Sequence, residues 1–237
     1  MTIPDNNLAG LQVQTEELPL LFLPEIVCFP GTLLPVHISD SSGRSLVHDA
    51  QNSNGLLAIA HDNKIIHNKK RKTTGQNNAS IEVSHVLCLC RIVSVVQQSS
   101  EDILVLVEGI SRATVKEEIT SSQWGAVQIA VDIVSTELAF HREEYKQELW
   151  GLYQLLYSEK QMESFIPQTS NLHLSLGSLC DFLAASLPMP LVTSSALLGA
   201  CDIHLRCKLL IEYLRELLIQ RVSPTQSEIF PPAFSGN

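Results

Sequence analysis

The chain is short of the parts that most hydrolytic and energy-consuming enzymes need. None of its 11 glycines is followed by lysine, so no Gly-x-x-x-x-Gly-Lys-Ser/Thr loop exists to cradle a nucleotide's phosphates. The segment His141-Arg142-Glu143-Glu144 lacks the second histidine of the zinc-protease pattern. Acidic residues there suit the positive end of a starting helix instead. The eight histidines never pair at metal-binding spacing with a third ligand nearby. Uninterrupted apolar runs of about 18 residues are also missing, which argues against a membrane helix. Positive charge is scarce: 16 Lys and Arg face 25 Asp and Glu, and the net charge of −9 speaks against a general nucleic-acid binder. Residues 1–10 have neither the basic start nor the apolar core of a secretory signal. Six cysteines are too few, and too apolar in their surroundings, to read as a disulfide framework in a chain of 237 residues. The expectation is a reduced, cytoplasmic protein with no membrane segment and no cofactor.

What the chain does have is concentrated in Leu18 to Ile38, LPLLFLPEIVCFPGTLLPVHI, where four prolines and one glycine punctuate an apolar run. Proline lacks an amide donor and restricts its predecessor, so the run is cut into short pieces. Leu18 to Leu23 reads as a buried strand, Phe29-Pro30-Gly31 as a tight turn, and Leu33 to Ile38 as a second strand. In the turn, proline presets one dihedral and glycine supplies a conformation closed to other residues. Leu56 to Ala60, Val86 to Val96 and Ile103 to Val107 are further apolar strands, the last ending at Glu108-Gly109. Val127, Ile129, Val131 and Ile133 alternate with polar or small residues at period two. Several short strands with turn signals suggest a closed or nearly closed barrel, interrupted by one helix near Gly43 to Gln51.

After Ser135 the periodicity becomes helical. Leu138 to Tyr157 places Tyr145, Leu149, Leu152 and Leu156 on one stripe. Leu172 to Leu187, a short helix near Thr193 to Ala200, and Ile203 to Arg221 follow, with Pro167, Pro188, Pro190 and Pro224 as stops. The last helix is apolar over more than one face, which suits burial or a partner contact. Between the strands, Lys69 to Lys72 reads as the solvated tip of a long loop; four cations support a salt-sensitive, non-specific RNA contact at most. Cys88 and Cys90 point to one face of a strand, but zinc asks for about four ligands, so they read as buried thiols. No cysteine shows the surroundings of a catalytic nucleophile.

The order of these motifs resembles the amino-terminal, substrate-recognition domain of Lon proteases over about residues 18–220. That family usually opens Leu-Pro-Leu-Leu, turns at Phe-Pro-Gly and ends Leu-Pro-Leu-His-Ile. Here these are Leu18-Pro19-Leu20-Leu21, Phe29-Pro30-Gly31 and Leu34-Pro35-Val36-His37-Ile38. Cys90-Arg91-Ile92 is similar to its Ala-Arg-Ile strand, and Leu106-Val107-Glu108-Gly109-Ile110-Ser111-Arg112 to its Leu-Glu-Gly-(apolar)-x-Arg segment. Leu179 to Leu187, Leu197-Leu198 and the last helix resemble its second half. Two departures, Ser39 to Arg44 in place of Phe-Glu-x-x-(Tyr/Arg) and Leu87 in place of a glycine, are expected at a turn or an exposed edge. Nothing in the chain resembles the ATPase or the Ser/Lys protease domain of full Lon proteases.

The resemblance implies an α+β fold: a PUA-like β-barrel or pseudobarrel over residues 18–135 and a helical bundle over 136–222, between a loose leader (1–17) and a tail (223–237). It implies a stand-alone, non-enzymatic module that binds unfolded proteins or peptides in a groove between barrel and helices. An adaptor docking on a protease or chaperone through the last helices, and an RNA-binding barrel, are the alternatives. The family-motif positions offered as ligand-binding are Phe29, Pro30, Gly31, Pro35, His37, Arg91, Glu108 and Arg112, with no catalytic or metal-binding residue.

Overall fold

A computed structural model describes residues 16–61, 86–99, 102–119, 126–131, 141–157 and 174–222. The strands are β1 (Glu16–Phe22), β2 (Leu33–Ile38), β3 (Leu56–Ala60), β4 (Val86–Gln97), β5 (Ile103–Ile119) and β6 (Ala126–Val131). Helix α1 (Ser41–Asn52) lies between β2 and β3; α2 (Arg142–Leu156), α3 (Leu176–Ser186), α4 (Leu191–Gly199) and α5 (Ile203–Val222) follow the strands. The leader up to residue 15, the Lys69–Lys72 loop, Pro167 and the tail lie outside the described residues.

The strands form one mixed six-stranded sheet in the order β2-β5-β4-β3-β1-β6, and β6 pairs again with β5. That second pairing closes a ring of hydrogen-bonded neighbours, β5-β4-β3-β1-β6. Beta strand β5 makes the closure possible because it serves two sets of partners. Its first half pairs with β2 from Ile103 to Glu108, and its second half with β6 from Ala113 to Ile119. The expected strand end at Glu108-Gly109 is therefore corrected: β5 runs straight through it. The glycine is there for a different reason, given below.

Pleating sorts the sheet into two buried faces. Leu57, Ile59, Cys88, Cys90, Val105 and Val107 pack with Leu46, Val47 and Ala50 of α1. Ala58, Ala60, Leu87, Leu89 and Ala113 pack with Leu18 and Leu20 on the other. Leu87, expected at an exposed edge, is fully buried there, so a side chain larger than glycine fills core volume rather than altering a surface. The Ser39–Arg44 departure begins α1, with the Asp40 carboxylate accepting from the Gly43 amide at 2.7 Å.

The helices share a core of their own. Leu149, Tyr153 and Leu156 of α2 meet Leu179 and Leu183 of α3, Leu197 and Leu198 of α4, and Leu210 and Leu214 of α5. Phe29 and Val86 join this cluster from the strand half. The expected stripe on α2 is shifted: Tyr153 is buried where Leu152 was expected, and Leu152 and Tyr145 flank it. Local signals set the starts. Ser175 caps α3 by accepting from the Ser178 amide, and Asp202 accepts from the His204 amide at 2.7 Å ahead of α5.

Candidate functional site

The Phe29-Pro30-Gly31 turn is locked onto β5. Gly31 has φ +73°, open to glycine and strained for other residues. Its amide donates to the Gly109 carbonyl at 2.8 Å, and the Gly109 amide donates to the Thr32 carbonyl at 2.9 Å. The Thr32 hydroxyl donates to the Phe29 carbonyl at 2.7 Å. A Cβ on Gly109 would sit 2.2 Å from that same carbonyl oxygen, so only glycine admits so close an approach. Two motifs 78 residues apart thus form one joint, and Phe29, 1% exposed, drives its ring into the helical core. This geometry makes Phe29 and Gly31 structural.

Beyond the joint, directly opposed residues of antiparallel neighbours share a face. Leu33, Pro35 and His37 of β2 stand opposite Glu108, Leu106 and Leu104 of β5. Arg91, Ser94 and Val96 of β4 stand opposite the same three on the far side. The result is a three-by-three array on the outward face of β2, β5 and β4, whose reverse (Val36, Ile38, Val105 and Val107) is buried against α1. Leu33 is 61% exposed and Val96 54%. A register shift between Ile92 and Ser94 places Val93, 50% exposed, beside them. The ends are charged: Arg91 and Glu108 approach to 3.9 Å at one, and His37 and Asp102 to 3.7 Å at the other.

Strand β2 is the outer strand of this array. Because Gly109 donates to Thr32, counting on in twos puts Leu34, Val36 and Ile38 in the bonded positions. Pro35 then has its missing donor on the outer side, where an edge strand tolerates it. The main-chain groups of Leu33 and His37 face outward with the Pro35 carbonyl.

The structure therefore brings Pro35, His37, Arg91 and Glu108 together on one surface, with Pro30 half-buried and Gly31 exposed in the turn nearby. Arg112 is elsewhere. It is 8% exposed and makes a two-pronged bridge to Asp181 at 2.6 and 2.7 Å, while its Nε donates to the Leu198 carbonyl at 2.8 Å. Arg206 reaches the same carboxylate at 3.4 Å and donates to the Ala200 carbonyl. Burial lowers the pKa of Arg206, opposed by the Asp181 charge. Arg112, expected among the ligand-binding positions, is thus set apart from the others, its guanidinium engaged by Asp181 and the Leu198 carbonyl. Among the described residues, the junction of strands and helices, where a groove was expected, holds this ion cluster, the Phe29 ring and a 2.6 Å contact between His61 and Ser195. Sequence reasoning missed exposed Leu33, Val93 and Val96 and half-buried Leu104 and Leu106, whose place on one face follows from register. It also missed that Cys28 joins Cys88 and Cys90, the three sulfurs lying within 4.8 Å of one another, as one group among the described residues that could hold a metal.

A family model described as the ATP-dependent protease La (LON) substrate-binding domain matches residues 17–216. The chain belongs to the LON substrate-binding domain family. Its fold is similar to the N-terminal domain of Mycobacterium avium complex Lon protease, with a TM-score of 0.64 at 18% identity, covering 85% of this chain and 99% of that one. The Lon N-terminal domain protein from Xanthomonas campestris gives 0.57 at 16%, covering 84% and 98%. Lon protease 2 of Myxococcus xanthus is 23% identical over 208 residues, 85% of this chain and 24% of the relative. Lon protease of Xanthomonas oryzae is 25% identical over 209 residues, 86% and 23%. The chain spans about a quarter of the length of these relatives, and the match is to the LON substrate-binding domain rather than to a catalytic one. No helix of the described residues is long and apolar enough to cross a membrane.

Proposed function

We propose that this LON domain is a non-catalytic module that binds extended, apolar peptide segments, such as those exposed by unfolded proteins, on the outward face of β2, β5 and β4. One observation carries the reading: exposed Leu33 on the edge strand β2 shares an outward face with exposed Val93 and Val96 of β4, and four family-motif residues stand on that same face. An extended segment adds as a strand along β2, taking hydrogen bonds from Leu33 and His37, while its alternate side chains reach the apolar centre. Pro35 leaves one position of that edge without a donor, so an added strand is held there by fewer hydrogen bonds. Arg91 with Glu108, and His37 with Asp102, meet charges flanking the apolar segment. In this reading the closed strand ring is a PUA-like pseudobarrel over 18–135, the helices of 136–222 form a bundle that braces it, and the protein works in the cytoplasm.

A shallow face binds weakly, on the order of micromolar or poorer. Titration of a labelled, unfolded apolar peptide by fluorescence anisotropy tests it. Leu33→Asp with Val96→Asp is expected to weaken binding at least about tenfold, the effect of roughly 1.4 kcal/mol, with the thermal midpoint unchanged. Ile219→Asp on the exposed side of α5 is the control. A loss confined to Ile219→Asp favours instead an adaptor docking through the groove of about 540 Å³ between α2 and α5, which Ile211, Arg215 and Ile219 line. No saturable binding at high micromolar protein removes the peptide reading.

A further inference from the structure

We propose that Cys28, Cys88 and Cys90 form a buried three-sulfur site for a soft, singly charged metal ion, copper(I). Two of the sulfurs come from alternate positions of β4, which puts them on one face; the third arrives from the chain that leads into the Phe29-Pro30-Gly31 turn. That chain cannot drift, because Thr32, Phe29 and Gly109 are tied together immediately beyond it. Cys90 and Cys28 already stand 3.6 Å apart, and all three sulfurs lie within 4.8 Å of one another. Metal–thiolate bonds of about 2.3 Å in a flat three-coordinate arrangement need sulfurs roughly 4 Å apart, so movements of a few tenths of an ångström suffice. The site is preformed by the fold, which keeps the ordering cost of binding small.

The donor set selects the ion. Three thiols and no carboxylate or imidazole exclude hard cations and favour soft ones. Zinc asks for a fourth ligand, and among the described residues no further His, Cys, Asp or Glu joins the group. Leu21, Leu57, Ile59 and Val107 line the surroundings, which suit no water in the fourth position. Copper(I) is satisfied by two or three sulfurs. Burial also limits the net charge that the site tolerates. One copper(I) bound by three thiolates carries two negative charges, because the reaction releases three protons and moves no electrons; positive charge in the neighbouring ion cluster offsets part of this. Arg112 stands opposite Cys88 in the β4–β5 register, so a buried cation lies beside the site. Two guanidiniums there share one carboxylate, Asp181, so the neighbouring ion cluster holds one positive charge to spare.

A second pair, Cys180 and Cys207, lies 3.5 Å apart in the helical core and offers only two sulfurs. The experiment must separate the two places. The reduced full chain, kept free of oxygen, is titrated with copper(I) against a coloured chelator, and X-ray absorption is recorded on the one-to-one product. The expected result is one tightly held ion with three sulfurs at about 2.3 Å, close to other metal–thiolate bonds. Loss of a ligand exceeds the roughly 10–100-fold effect of losing a supporting group, so Cys28→Ala should weaken binding more than about 100-fold while Cys207→Ala leaves it intact. A two-sulfur spectrum, binding lost in Cys207→Ala but kept in Cys28→Ala, or no competition with the chelator overturns the proposal. If Cys28→Ala fails to fold, the sulfur count on the unaltered chain decides alone.

Discussion

Two arginine–carboxylate contacts in this molecule use the same chemistry to opposite ends. At the strand–helix junction, Arg112 grips Asp181 at 2.6 and 2.7 Å with both groups buried, and Arg206 leans on the same carboxylate. On the outward face, Arg91 and Glu108 stand 3.9 Å apart with about half of each side chain in water. A buried pair commits its geometry, because every lone pair and N–H must find protein; here the Leu198 and Ala200 carbonyls complete it. A hydrated pair commits little and can exchange its partner for another charge. The junction therefore fixes how strands and helices sit together, and the outward face stays available.

The largest effect is expected at the buried cluster. Asp181→Asn leaves two guanidiniums without their anion, and the expected loss is about 3–5 kcal/mol, read from urea unfolding at constant m-value. Replacing all three groups by apolar residues, Arg112→Met with Asp181→Leu and Arg206→Met, should recover most of that loss. If the single variant costs less than about 1 kcal/mol, the cluster does not organise the junction.

A smaller effect is expected at the joint between turn and strand, where two glycines act for different reasons. Gly109→Ala pushes a methyl into the Phe29 backbone, which cannot yield as a side-chain tip would, and should cost about 1–3 kcal/mol. Gly31→Ala meets no atom within 4 Å and pays only for its left-handed backbone, about 1–2 kcal/mol. Both act on the same turn, so the double variant should cost less than the sum of the two. Full additivity by calorimetry would show that the two glycines do not share one joint.

How much of this was legible in the sequence follows range of interaction. The prolines of Leu18 to Ile38 and the alternation of β6 are local, and they placed the strands within a residue or two. Glu108-Gly109 was misleading because glycine as a turn and glycine as a clearance for another backbone look alike until Phe29 is seen beside it. Arg112 presented as a motif residue on a strand; its role depends on Asp181, 69 positions away. Cys88 and Cys90 showed two sulfurs on one face, but Cys28 enters from 62 positions away. The outward array was half legible: the motif resemblance supplied Pro35, His37, Arg91 and Glu108, while Leu33, Val93, Val96, Leu104 and Leu106 needed strand register.

The smallest effect is expected at the exposed pair. Arg91→Ala should change stability by less than about 1 kcal/mol, since the pair is hydrated and long. It should nevertheless alter which peptides the face accepts. With Arg91 removed, Glu108 is left as a lone anion at that end, so peptides with a flanking lysine should gain relative to those with a flanking glutamate. Anisotropy titrations of two peptides differing only in that residue, repeated at low and high salt, measure the shift. Salt should erase it, because exposed charges are screened over about 10 Å at 0.1 M. A preference that persists at high salt, or a stability loss comparable to that of Asp181→Asn, would mean that Arg91 and Glu108 are a second structural clamp, and the division between a committed junction and an available face would not hold.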